Sequence, residues 1–279
     1  MLQWLIYFTI IFLQLSARQS ATGWCTGYRE VCQKAATDPQ CFEIFRSIPE
    51  YRIAFEINDG YRFAEYLTCS DRLLDKLEAF RRLESFGNPV LDSYPLIGKF
   101  SATTLRYICI ADQIQKMVAL PEQAVIAEIG AGFGGQCFAL AQVRPFSKYY
   151  FFDLPEVEAL IGKVMEVLSL QNTYCIPMDQ ELPEEKIDLV ISNYAFSECD
   201  REIQLEYFER VIKKADRGFM IYNHISKDSG IDSISAKEFV QMLKEQGFRP
   251  RMHKEIIATA PENVLIIWNR TTRKPENKL

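Results

Sequence analysis

The sequence predicts an α/β fold: a doubly wound, mostly parallel sheet with an antiparallel last strand, plus an N-terminal helical extension. Three observations predict it. From residue 124 onwards, short apolar runs alternate with amphipathic helical patterns, as in strands joined by crossover helices. The first run, Val125–Ile129, ends in Gly130, Gly132, Gly134 and Gly135, followed by a helical stretch. Glycine has no Cβ, so such a turn brings backbone N–H groups and a helix N-terminus close to a ligand. The last two apolar runs, 256–258 and 264–268, are separated only by residues 259–263. A crossover helix needs a dozen or more residues, so the last strand is expected to run antiparallel to its partner.

Residues 2–15 are almost wholly apolar and are followed by Ser16-Ala17 and Ser20-Ala21. The run is short for a membrane-spanning helix of roughly 20 residues. It reads as a signal-peptide core with its cleavage site, or as an anchor, although no basic residue precedes it and Arg18 is the first. Residues 1–21 are thus a signal-like or anchor segment through which the chain would contact a membrane. Residues 22–118 form a helical region. Over 41–86, Leu73, Leu74, Leu77 and Phe80 recur at helical spacing. Gly87-Asn88-Pro89 breaks the pattern, a loop with Pro95 and Gly98 follows, and helical periodicity returns over 103–118.

The α/β domain spans 119–270. A strand over 149–152 ends at Asp153, and a helix over 155–170 opens on Pro155, where a missing N–H costs nothing. A strand over 174–176 ends near Asp179, and a buried strand over 187–192 ends at Asn193. Then come a helix over 201–214, a strand over 219–223, a helix over 236–246 closed by Gly247, and the final two strands. Residues 271–279 are a polar tail.

With 48% hydrophobic and 25% charged residues among 279, the balance is that of an ordinary globular chain of one large domain, or a domain with an extension. The net charge of −5 disfavours phosphate backbones, so no nucleic acid partner is expected. None of the eight cysteines forms C-x-x-C, and His224 and His253 lie far from any cysteine pair, which argues against a zinc site. Cys25, Cys32, Cys41 and Cys69 suit disulfides in an exported chain and thiols otherwise.

The glycine turn fits two fingerprints. Gly130, Gly132 and Gly135 match the dinucleotide pattern G-x-G-x-x-G. Glu128, Gly130, Gly132 and Gly134 match the acidic-x-G-x-G-x-G pattern of S-adenosylmethionine enzymes. Glu128 separates them, because a carboxylate there attracts the ammonium of S-adenosyl-L-methionine and repels a pyrophosphate. The terminal hairpin and the long helical region before the turn favour the same reading. Asp153 would accept ribose hydroxyls in either case, or cap the helix that follows. Asp179 would accept from the adenine amino group, or sit in a solvated turn.

Residues 128–135 and Asp153-Leu154-Pro155 resemble class I S-adenosylmethionine-dependent methyltransferases of the O-methylating kind. Residues 86–89, 101–107 and 193–198 resemble the sugar O-methyltransferase family, with similarity over roughly 42–268. The resemblance implies a Rossmann-like methyltransferase domain and a small-molecule or glycan acceptor of sugar or polyhydroxy type. The apolar N-terminus and early cysteines depart from that family. They leave location open between cytoplasmic, where the cofactor is made, and secreted or membrane-anchored.

Methyl transfer from a sulfonium is an in-line displacement that needs an aligned acceptor and a base. Ligands in open parallel sheets lie beyond the carboxyl ends of the strands, which here carry Asn193 to Glu198 and Asn223-His224. Asn193 is a cofactor candidate. His224 is the first candidate base, since imidazole accepts a proton near neutrality; a packed histidine is the alternative. Glu198 is the second, the alternative being a charge that complements a helix N-terminus. Tyr194 and Phe196 would wall the pocket or join the core, and His253 would face solvent. Arg106 and Tyr107 would reach the cofactor carboxylate or the acceptor, or form a structural ion pair. No carboxylate cluster argues for a catalytic metal. An NAD(P)-dependent oxidoreductase or epimerase would need a Tyr-x-x-x-Lys pair after the fourth strand, where none occurs. An exported binding protein that retains the fold without catalysis is the other alternative, motivated by residues 1–21.

Overall fold

The computed structural model describes residues 26–182 and 184–271. The signal-like segment, Cys25 and residues 272–279 lie outside them. An N-terminal layer holds α1 (Thr26–Thr37), α2 (Pro39–Ile44), α3 (Pro49–Phe55) and α4 (Tyr61–Thr68), then short helical turns as far as Glu84. Asp38 caps α2 by accepting the Gln40 N–H, and Pro opens both α2 and α3 at the position where its missing N–H is harmless. At the expected break, Gly87 and Asn88 turn left-handed. The stretch read as plain loop pairs instead as a small antiparallel hairpin, β1 (Asp92–Tyr94) and β2 (Gly98–Phe100). Three-residue strands are too short to show a period of two. α5 (Ala102–Met117) follows, with Ser101 Oγ accepting the Thr104 N–H at 3.2 Å.

The alternating part is β3 (Val125–Ile129), α6 (Gly135–Val143), β4 (Lys148–Phe152), α7 (Pro155–Val167), β5 (Thr173–Cys175) and β6 (Leu189–Asn193). It continues through α8 (Arg201–Arg210), β7 (Arg217–Tyr222), α9 (Ala236–Glu245), β8 (Phe248–Lys254) and β9 (Val264–Arg270). The seven strands lie in the order β5-β4-β3-β6-β7-β9-β8. β3 to β7 pair in parallel, and β9 runs antiparallel to both neighbours. The strand order reverses between β3 and β6, so their carboxyl ends open a crevice.

The fold class and the terminal hairpin are as the sequence predicts, but one strand is not. Residues 256–258 form a turn, and the first arm of the hairpin is β8. β8 is an edge strand whose side chains are mostly exposed, so it carries no apolar alternation. Ile257 is apolar because its turn folds back onto the core.

Side chains alternate across the sheet and build a core on each face. Ile126, Tyr149, Phe151 and Ile191 face α5, α6, α7 and the N-terminal layer, with Leu105, Phe138 and Leu160 among the partners. Ala127, Ile129, Tyr150 and Phe152 face α8 and α9, against Phe208 and Phe239. The N-terminal layer therefore shares one continuous core with the sheet, through Phe45, Tyr51 and Leu67. Among the described residues, no helix is long and apolar enough to cross a membrane. Cys32, Cys41 and Cys69 are free thiols there.

Arg46 joins the layer to the rest. It is fully buried. Its guanidinium meets Glu56 at 2.6 Å, Glu84 at 3.4 Å, the Leu83 carbonyl at 2.8 Å and Ser101 Oγ at 2.9 Å. Removing one partner of a buried pair leaves uncompensated charge and costs about 3–5 kcal/mol. Arg46→Met should lower the free energy of unfolding by about that much in urea titrations, since Glu56 and Glu84 would lose a shared cation.

Candidate active site

The carboxyl ends of β3, β4 and β6 converge on the glycine turn. Gly130 and Gly132 have φ of +73° and +57°, a region L side chains rarely adopt. Space is restricted as well. A Cβ on Gly130 would lie 1.9 Å from Ala195 Cβ, and one on Gly132 would lie 2.1 Å from the Phe55 ring. The glycines thus admit close approach, and part of it is taken by the chain itself. Phe55 belongs to an aromatic cover over the turn, with Tyr51, Phe45, Phe86 and Tyr107 grouped around Phe55 and Phe133. The sequence offered no sign of this cover beyond its helical periodicity.

Glu128 lies on the same face of β3 as Ile126 and is almost wholly buried, at 1% exposure. Tyr149 Oη donates to it at 2.8 Å. Burial pushes its pKa up to about 8, against the opposing effect of the Tyr149 hydrogen bond, with the Asp153 charge adding to the rise. Asp153 follows β4 and accepts the Gly132 N–H at 3.1 Å and the Leu154 N–H at 2.8 Å. The position before α7 belongs to Leu154, so Asp153 is no cap for that helix. Its carboxylate holds the glycine turn instead. Burial raises its pKa to about 6, offset in part by the backbone N–H groups.

Glu158, in the first turn of α7, was not foreseen. It is buried and its Oε1 has no partner among the described residues. Burial first, then the charges of Asp153 and Asp179, lift its pKa to about 7. In sequence it looks like any acidic residue placed to suit a helix dipole. Asp179 is exposed in the loop after β5. Asn193 ends β6, where its Nδ2 reaches Gln136 Oε1 at 3.4 Å while its Oδ1 is buried without a partner among the described residues.

The two candidate bases are placed differently. Glu198 accepts from Asn223 Nδ2 at 2.7 Å, and Asn223 Oδ1 accepts from Ser197 Oγ at 2.9 Å. Burial raises the Glu198 pKa, against the Asn223 hydrogen bond and the Arg106 charge. The cap of α8 is Asp200, whose carboxylate accepts the Ile203 N–H; Glu198 closes the short helix Ala195–Glu198 just before it. His224 Nε2 lies 3.1 Å from the Glu262 carbonyl, to which it donates, on the β8–β9 connection. Phe196 is core, packed against Tyr222 and Phe239. Tyr194 has φ +74°, an uncommon and costly conformation for an aromatic residue. Its N–H is held by the Ile221 carbonyl, and its hydroxyl by Glu255. His253 is exposed on β8.

Around the turn, Tyr51 Oη, Tyr107 Oη, Arg106 Nε, Asn193 Oδ1 and Glu158 Oε1 are buried polar atoms without partners among the described residues. Buried polar groups are normally hydrogen-bonded, so this concentration suits a ligand with hydroxyls and charges of both signs. S-adenosylmethionine, with its ribose, ammonium and carboxylate, fits that set. No group of three metal-ligating side chains comes together among the described residues.

No family profile matches the chain, and no curated protein matches it significantly. Solved structures similar to it include mitomycin 7-O-methyltransferase, at 16% identity and a TM-score of 0.47, covering 61% of this chain and 56% of that one. A magnesium protoporphyrin IX methyltransferase from Synechocystis, with bound S-adenosylhomocysteine, is 17% identical with a TM-score of 0.45, covering 60% and 82%. An O-methyltransferase family protein from Burkholderia thailandensis is 10% identical with a TM-score of 0.48, covering 62% and 58%. This chain thus spans little more than half the length of the first and third.

Glu128 also makes stability depend on pH. Its pKa is raised from 4.5 to about 8 on folding, so the folded chain binds a proton more tightly than the unfolded one. That contribution is complete below the lower value and is lost as pH rises through the higher one. Glu128→Gln removes the dependence. Calorimetric melting should show the variant gaining on the wild type between pH 5 and pH 8, by a few kcal/mol at the upper end.

Proposed function

We propose that the chain is an S-adenosylmethionine-dependent O-methyltransferase acting on a sugar or similar polyhydroxy acceptor. The observation that carries this reading is the pair of carboxylates, buried Glu128 and half-buried Asp153, at the tips of adjacent parallel strands on either side of a left-handed glycine turn. The acceptor class rests on the likeness of residues 86–89, 101–107 and 193–198 to the sugar O-methyltransferase family.

When bound, S-adenosylmethionine supplies a methyl group on a sulfonium, an electrophile. The chemistry it would supply is a methyl group open to in-line attack by an acceptor hydroxyl oxygen. The acceptor proton passes to a base of this chain. Glu128 and Oδ1 of Asn193 would meet the ammonium, and a nearby cation draws the Glu128 carboxyl down towards its ionised form. Asp153 would accept the ribose hydroxyls while its bond to Gly132 keeps the turn in shape. Asp179 and Glu158 would serve the adenine end. Glu198 is the better placed base. Its burial raises its proton affinity, and Asn223 orients one of its carboxylate oxygens. His224, bonded to the Glu262 carbonyl, serves to shape the rim.

Calorimetry should show S-adenosylhomocysteine binding and no NADH binding; binding of NADH alone would overturn the proposal. Glu198→Gln should lower kcat about 10²–10⁴-fold and leave S-adenosylhomocysteine affinity unchanged, the usual weight of a general base. His224→Asn should cost less than about tenfold. The wild-type rate should fall as pH drops through the raised Glu198 pKa, and the Gln variant should lack that limb.

A further inference from the structure

Carboxylates dominate the surroundings of the glycine turn, yet one buried cation there has no ion pair among the described residues. Arg106, on the second turn of α5, is 8% exposed, and its Nε has no hydrogen-bond partner among the described residues. Arg46, a second buried arginine nearby, is saturated by Glu56, Glu84, Ser101 and a carbonyl. A structural ion pair, one sequence-level reading of Arg106, is thus absent among the described residues. Its guanidinium carbon lies 5.4 Å from the Tyr194 ring centre and 5.7 Å from that of Tyr107. Its charge lowers the proton affinity of Glu198. Burying an unpaired charge is costly, and arginine is the cation whose rigid fork matches a carboxylate.

The position is tied to the turn by a chain of contacts. Asn193 Nδ2 donates to Gln136 Oε1, and Gln136 Nε2 donates to the Tyr107 carbonyl at 3.2 Å. A Cβ on Gly135 would lie 2.4 Å from the Tyr107 ring, and Ala195, next to Tyr194, abuts Gly130. Arg106 is therefore anchored at the rim where the turn meets the end of β6. From this geometry we infer that Arg106 takes the carboxylate at the amino-acid end of the methyl donor. The inference rests on the donor reading above and deepens it. S-adenosylmethionine bears two positive groups, the ammonium and the sulfonium, and one negative group. Glu128 suits the ammonium, and Arg106 is the buried cation left for the carboxylate. The acceptor is a second source of carboxylate, and the ligands chosen for the test separate the two.

Isothermal titration with S-adenosylmethionine and with decarboxylated S-adenosylmethionine, without any acceptor, tests the assignment. The second ligand keeps the adenosine, sulfonium and ammonium and lacks only the carboxylate. Arg106→Met should raise the Kd for S-adenosylmethionine about tenfold or more, the scale of a charged hydrogen bond. Its Kd for the decarboxylated ligand should stay within about threefold or improve, on the same scale. Arg106→Lys, which keeps the charge without the fork, should recover part of the loss for the carboxylated ligand only. Equal weakening of both ligands in both variants, or no change for either, would overturn the inference. A wild-type protein that binds neither ligand would instead overturn the donor reading on which it rests.

Discussion

The guanidinium of Arg46 holds the architecture of the site together. It is buried in the N-terminal layer, bonded to carboxylates from two segments of that layer and to the capping serine of α5. Its flat face lies 4.8 Å from the centre of Phe133, inside the glycine turn. Arginine alone among the cations offers both a bidentate fork and a stacking face. One side chain thereby sets the register of three elements: the layer, the helix carrying Arg106, and the turn. Phe133 then gathers Phe45, Phe55, Phe86 and Tyr107 edge-on. Each such pair is worth about 0.5–1.5 kcal/mol beyond its burial.

Burial sets the electrostatics of the site. Excluding water raises the energy of every unpaired charge. That is the common cause of the raised proton affinities of Glu128, Asp153, Glu158 and Glu198. Burial thus favours the neutral form of these carboxyls, and a ligand of opposite charge would draw them back towards ionisation. On the opposite rim, the left-handed backbone at Tyr194 is held by the Ile221 carbonyl and by Glu255, itself bound by Asn263. Strain there is maintained by the β8–β9 connection, so the hairpin reaches the site through a tyrosine.

Much of the sheet was legible because its strands are fully buried and its turns carry glycine or proline. β3 could be read to the residue, since its apolar run stops at the first glycine. The identity of the acidic positions was legible too, but their partners were not. Tyr149 meets Glu128 across adjacent strands, a relation that depends on register. Asp153 has capping α7 as an alternative in the sequence, and only the fold shows that Leu154 takes that position while the carboxylate turns to Gly132. Glu158 was hidden because an acid in a first helical turn has an ordinary explanation. The hairpin β1–β2 and strand β8 were missed for one reason: neither buries enough alternating apolar surface to leave a pattern.

The polarity that hid β8 has a consequence for the chain as a whole. A sheet ending in an open strand presents unpaired N–H and C=O groups on which another chain can add a strand. At one edge, β5 has only three residues and offers a short template. At the other, β8 is seven residues long, yet it carries exposed Arg249, Arg251 and Lys254, and Pro250 has no N–H to donate. Two incoming copies of this strand would bring like charges together and find a gap in the ladder. The residues that make the strand unrecognisable in sequence also oppose the addition of a further strand at this edge.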